Sequence, residues 1–150
     1  MNPTAKPRGI RNNNPGNLRH YPAIAWLGMV GQDDDDFCVF ESMEYGVRAA
    51  VLDLIAGFKQ AHKSGGRQGE DTVAEIIEEW APANENDTAA YIRAVCRDTG
   101  FERDEILPLT PDTLTKLARA IFRHENGGHF VTLKDLDVGV GMACQSAGVS

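Results

Sequence analysis

Between Ser42 and the Gly65-Gly66 pair, Val47, Ala50, Val51, Leu54, Ile55 and Phe58 recur at the i, i+3, i+4, i+7, i+8, i+11 spacing of a single helical face. A helix with one apolar stripe draws most of its stability from whatever covers that stripe, so the chain must provide other elements to pack against it. It does so in four further segments. One starts near Asp71 or Thr72, turns Val73, Ile76, Ile77 and Trp80 inward and Glu75, Glu78 and Glu79 outward, and closes at Pro82. The next, capped by Asn86 or Asp87, carries Thr88, Tyr91, Ile92, Val95 and Cys96 and stops at Gly100. The clearest start belongs to the segment that has Thr110 as cap, Pro111 at the first helical position and Asp112 beside the positive helix end; it stops at Gly127-Gly128. A weaker last helix opens at Thr132 and has Gly139 and Gly141 in its body.

The first third reads differently. From Met1 to about Gln32, Pro, Gly and Asn are frequent and no helical period appears, which predicts ordered loop with one short strand. Four aspartates, Asp33 to Asp36, then lead into the β-prone Phe37-Cys38-Val39-Phe40, the pattern of an acidic turn entering a strand; most of those aspartates read as a solvated tip. The expected architecture is therefore mainly α, of the α+β kind, with a small β-hairpin element. A length of 150 residues suits one domain, 1–150.

A net charge of −7 argues against a general nucleic-acid binder. The charge is uneven, because Lys6, Arg8, Arg11 and Arg19 precede Asp33 with no acid among them. That basic arm suits an anionic polymer, a nucleic acid or plain solvent, and charge alone does not choose. No apolar run approaches a membrane span, so no membrane insertion is expected. The first six residues lack the apolar stretch of a secretory signal, which leads us to expect a phage particle, or a host cytoplasm with some other delivery to the cell wall. Cys38, Cys96 and Cys144 are odd in number and widely spaced, which argues against a disulfide framework; Cys96 and Cys144 read as small apolar helix residues.

One carboxylate stands out. Leu114, Leu117, Ala118 and Ile121 form the inward stripe of the fourth long helix, and Glu125 returns to that same face at its end. Partial burial and the negative end of the helix dipole would both raise its pKa, which suits a general acid. The glycine pair after it lets the backbone turn sharply and a bulky ligand approach. A solvated helix-end glutamate with an ordinary glycine stop fits the local pattern as well. His124 and His129 are five apart across two glycines, not the four-residue spacing of a zinc helix, so no metal site is expected there.

The segment Leu117-Ala-Arg-Ala-Ile-Phe-Arg-His-Glu125-Asn-Gly127 resembles the lysozyme superfamily, in whose lytic transglycosylases and bacterial glucosaminidases a helix ends in the catalytic glutamate. Asn126 departs from the usual Ser or Thr. The stretch Gly9-Ile-Arg-Asn-Asn-Asn-Pro-Gly-Asn17-Leu-Arg19 is similar to an opening of phage virion-associated and prophage lysozyme-like proteins, and to the Asn-rich segment that follows the glutamate in flagellar-type glucosaminidases. Trp26, Phe37, Phe40, Ser42, Gly46 to Ala49, Trp80-Ala81-Pro82, Glu85 to Thr88 and Tyr91 fit the same phage-type pattern. The likeness runs from Gly9 to about Phe130, in an order that a circular permutation would produce.

The resemblance implies a peptidoglycan glycosidase of muramidase or lytic transglycosylase type, with Glu125 as catalytic acid and no cofactor. It implies a sugar groove in which Asn12, Asn13, Asn14 and Asn17 supply amide contacts, Tyr91 a site-facing hydroxyl and Trp26 an aromatic platform. Arg48, with Arg11, would meet substrate carboxylates. Turn chemistry is the other account of the asparagines, and core packing that of Tyr91. Glycosidases usually pair the acid with an ionised carboxylate; Asp33 to Asp36, Glu41, Glu44 and Glu85 are candidates, and without one the single-glutamate transglycosylase route is favoured. Partners would be peptidoglycan and phage particle or tail components, not nucleic acid. The competing expectation is an inactive lysozyme-like module that binds peptidoglycan or builds a phage particle, with Glu125 ion-paired or the groove closed.

Overall fold

The computed structural model describes residues 5–84 and 86–150. Among these residues, six helices and a two-stranded antiparallel sheet account for the regular structure: α1 (Arg8–Arg11), β1 (Met29–Gln32), β2 (Cys38–Phe40), α2 (Met43–Ser64), α3 (Val73–Trp80), α4 (Thr88–Thr99), α5 (Pro111–Glu125) and α6 (Leu133–Ala147). The mainly helical architecture with a small hairpin is thus present. No helix among the described residues is long and apolar enough to cross a membrane.

Local chemistry sets most of the helix ends. The side chains of Thr72, Asp87, Thr110 and Thr132 each accept an N–H from the third residue on, at Glu75, Ala90, Thr113 and Asp135. Asp87, not Asn86, is therefore the cap of α4. Ser42 occupies the cap position of α2 but does not cap it; its Oγ is buried without a hydrogen-bond partner. The short α1 turn, where no helical period is visible, is defined by backbone bonds from Ile10 and Arg11 to the Pro7 carbonyl and from Asn12 to that of Arg8.

The stripe of α2 is the centre of the core. Val47, Val51, Ile55 and Phe58 are buried against Ile77 of α3, Tyr91 and Val95 of α4, Leu114, Leu117 and Ile121 of α5, and Leu136 and Val140 of α6. Gly139 has a packing role in α6 that helix propensity does not show. A Cβ there would collide with the Val47 side chain, so the glycine is what lets α2 and α6 approach. Cys144 is buried, Cys96 half-buried and Cys38 buried in the hairpin; all three are free, and burial raises their thiol pKa values.

The hairpin rests on α2 through a smaller cluster of Cys38, Phe40 and Ala49, with Leu18, Trp26, Met29 and Tyr45 around it. Its register pairs Met29 with Phe40, Gly31 with Val39 and Gln32 with Cys38. Asp33 organises the turn: its Oδ1 accepts the N–H groups of Asp35 at 3.0 Å and Phe37 at 2.9 Å. Asp34, Asp35 and Asp36 are exposed, as a solvated tip requires.

Candidate functional site

Everything at this site is organised by the C-terminal end of α5. Leu114, Leu117, Ala118 and Ile121 are fully buried, and the same face delivers Glu125, half-buried, as the last helical residue. Gly127 and Gly128 then turn the chain away with positive φ of 59° and 88°.

Asn126, next to it, is 1% exposed. Its Nδ2 donates to the Pro15 carbonyl at 2.9 Å and back to the Phe122 carbonyl at 2.8 Å, clamping the N-terminal loop onto the helix end. That loop takes its shape from asparagine. Asn13 and Asn17 have φ near 50°, a left-handed conformation that asparagine tolerates better than most residues. Asn14, fully buried, donates to the carbonyls of Leu18 and Cys38 and accepts the Leu18 N–H, all at 2.9 Å. The Trp80 indole N–H donates to the Gly16 carbonyl at 3.1 Å. Any side chain at Gly9 would strike the Asn126 amide oxygen, with the Asn14 carbonyl and Asn17 Oδ1 beside it, so only glycine permits this packing.

The result is that Asn17 Nδ2 donates to Glu125 Oε1 at 2.9 Å, across most of the length of the chain. Tyr91 approaches the carboxylate from α4. It is 2% exposed, and its hydroxyl has no formed hydrogen-bond partner. Burial, and then the charge and hydrogen-bonding reach of Glu125, hold its pKa well above the ordinary tyrosine value. It therefore stays a protonated donor at working pH. The His124 ring stacks on Tyr91 at 3.8 Å between centroids, 27° between planes. His129 faces the Asn126 carbonyl, 3.1 Å from its Nδ1, so the two histidines have separate surroundings.

Glu125 lies in a cleft of about 520 Å³ whose other walls include Arg8, Asn17, Arg19, Phe37, Trp80 and Asn86. The cleft shares Asn17, Arg19 and Trp80 with a neighbouring space of about 420 Å³ that reaches Tyr21, Asp53 and Glu79. Trp80, Asp53 and Glu79 in turn border a third space of about 270 Å³ ending at Glu70. Trp80 lines all three spaces; Arg8 and Arg19 lie on the one that holds Glu125, and Asp53, Glu70 and Glu79 on the third. There, burial and the charge of Glu79 raise the Asp53 pKa; burial, Glu79, Asp53 and Glu75 raise that of Glu70.

Of the residues expected to touch substrate, Asn17 and Glu125 share the cleft and Tyr91 lies buried behind it. The structure places the other candidates elsewhere. Asn12 donates to Asp33 Oδ2 at 2.9 Å, Asn13 to the Phe40 carbonyl at 3.1 Å, and Asn14 is core, because the loop needs those amides to hold its own turns and the hairpin. Trp26 packs in the hairpin cluster and does not line the groove. Arg48 sits where α2 meets α6 and reaches Ser146 Oγ at 3.4 Å. Arg11 is exposed and does not line the cleft.

Among the proposed second carboxylates, Asp33 is committed to the turn. The Phe37 N–H, opposed by burial and supported by Asn12, the Asp35 N–H and Arg8, lowers its pKa. Asp34 to Asp36, Glu41 and Glu44 do not line the cleft, and Glu85 lies outside the described residues. Among the described residues, Glu125 is the one carboxylate on that cleft.

Arg8, Arg19 and Phe37 were not legible as a site. The basic arm is visible in sequence, but only the fold shows that two of its arginines meet at one aromatic ring. Trp80 reads as core from its helical position, and it is half-buried with one side on the groove.

No family model matches the chain. The chain is similar to Protein P5 of Pseudoalteromonas phage PM2, with 31% identity over 135 residues that cover 88% of this chain and 79% of the phage protein.

Proposed function

The chain belongs to the family of that phage protein, and from this premise and the geometry of the groove we propose that it cleaves the glycan strands of peptidoglycan, with Glu125 as general acid and then base. The observation that carries the reading is a half-buried carboxylate in an open cleft, held by an asparagine donor and faced from behind by a buried hydroxyl. Among the described residues Glu125 makes no ion pair. An inactive module would have no need to keep such a group unpaired and its groove open.

Breaking a glycosidic bond requires a proton on the departing oxygen as the C1–O bond lengthens. Glu125 supplies it. The resulting carboxylate is stabilised by the Asn17 N–H and by the Tyr91 hydroxyl beside it. With no second carboxylate among the described residues of the cleft, the single-glutamate route is the one the site supports. In it, the carboxylate takes the proton from the sugar's own 6-hydroxyl as that oxygen closes onto C1. The proton returns to Glu125 and the new end is a 1,6-anhydro sugar. A phage relative suits a chain that meets the wall during entry or lysis.

Mass spectrometry of fragments released from purified sacculi tests this. Wild type should release muropeptides whose ends are lighter by one water than hydrolysed ones, and Glu125→Gln should release none. Hydrolysed ends would replace the anhydro route by hydrolysis. No release by wild type would overturn the enzymatic reading in favour of a binding or structural phage-particle role.

A further inference from the structure

The residue before Glu125 on α5 is turned onto α4. There the exposed His124 lays its ring on that of the buried Tyr91, 3.8 Å between centroids and 27° between planes. That geometry is a stacked aromatic pair, and it grips the phenol by its face. A phenolic O–H lies in the plane of its ring through conjugation. Holding the plane therefore limits the directions in which the hydroxyl can offer its proton.

The hydroxyl is buried without a formed hydrogen bond. Buried polar atoms in that state are rare, and one beside a reacting group calls for a function. The acceptor within its reach is Glu125. Asn17 already donates to Glu125 Oε1; a carboxylate accepts on both oxygens, so a second donor finds room.

We propose that His124 is a positioning residue for the acid: its ring, stacked on Tyr91, aims the phenolic O–H at the Glu125 carboxylate as the proton leaves it. This rests on the glycosidase reading of the cleft.

Such a bond is differential. A neutral carboxyl group accepts weakly and an ionised one strongly, so the hydroxyl acts on charge that develops during proton transfer and adds little before it. Neither Tyr91 nor His124 lines the cleft. Loss of the pairing should therefore appear in kcat, with KM little changed.

The experiment compares wild type, His124→Ala, His124→Phe, Tyr91→Phe and the double variant His124→Ala/Tyr91→Phe on soluble glycan strands. Tyr91→Phe should lower kcat about tenfold, as expected for one charged hydrogen bond. His124→Ala should lower it about two- to tenfold, the worth of one aromatic pair, and His124→Phe, which keeps a flat ring, should recover most of that loss. The double variant should be no slower than Tyr91→Phe alone, because no hydroxyl is left to aim. An equal added loss in both backgrounds would mean that His124 only holds α4 on α5, and would overturn the proposal. So would a loss confined to KM, or His124→Phe as slow as His124→Ala.

Alkaline ultraviolet titration reads the pairing without turnover, the difference from the matching Tyr91→Phe protein isolating this phenol. Its ionisation should move to lower pH in His124→Ala, where the ring is uncovered, and stay at the wild-type position in His124→Phe. An unmoved step in His124→Ala would overturn the pairing. An inactive wild type overturns the glycosidase reading, and the titration then still decides the pairing; an active wild type with an unaffected His124→Ala overturns this proposal alone.

Discussion

Replacing Asn126 with alanine would remove two buried donors at once, leaving the Pro15 carbonyl without its clamp and the Phe122 carbonyl without its second bond. Orphaning buried backbone acceptors costs about 1–3 kcal/mol. The loop that carries Asn17 would then be held chiefly by Asn14 and by Trp80 on Gly16. Urea unfolding should show Asn126→Ala less stable by that amount, read as a lower midpoint at unchanged slope, and the proposed cleavage should fall by more than the loss of folded protein accounts for, because Asn17 loses its fixed approach to Glu125. A midpoint equal to wild type would contradict the clamp. The sequence marks Asn126 only as a departure from the small hydroxyl residue usual after the glutamate; its reason is physical, since neither Ser nor Thr has two N–H donors to bridge Pro15 and Phe122.

The hairpin shows what an acidic run conceals. Composition presents Asp33 to Asp36 as equals, yet Asp33 alone closes the turn, while its three neighbours face solvent. Its pKa is lowered in the fold, so the ionised form is the stabilising one. That contribution is fully present above the ordinary aspartate value near pH 4 and is lost as pH falls through the lower folded value. Thermal midpoints measured from pH 6 downward should therefore fall more steeply below about pH 4 for wild type than for Asp33→Asn, whose side chain does not titrate. Parallel curves would show that the carboxylate has no part in holding the hairpin. Element boundaries were legible wherever a hydroxyl or carboxyl cap preceded an apolar stripe, as at Thr72, Thr110 and Thr132. They were not legible at Arg8–Arg11, where four residues carry no period; at Ser42 the boundary is the expected one, although the cap position is filled without a capping bond.

At the scale of the whole molecule, the periodic stripes show that helices must pack but not which pair comes closest. Likewise the α5 stripe places Glu125 at the end of a buried face, whereas Asn17 as its donor depends on a loop with no period. The helical body and the position of Glu125 are local patterns; the cleft is made by contacts between distant segments. Gly139 and Gly141 illustrate the same division, for propensity treats them alike. A Cβ at Gly139 meets Val47 across the α2–α6 seam, whereas one at Gly141 meets nothing within 4 Å. Gly139→Ala should therefore destabilise the protein by ~1–3 kcal/mol through overpacking, while Gly141→Ala should stabilise it by ~0.5–1 kcal/mol through helix propensity. Calorimetry should show thermal midpoints moving in opposite directions, by about 2–4 °C per kcal/mol in a chain of this size. If both variants moved together, the close approach of α2 and α6 would not be what Gly139 serves, and the seam would have slack that the buried Val47 does not suggest.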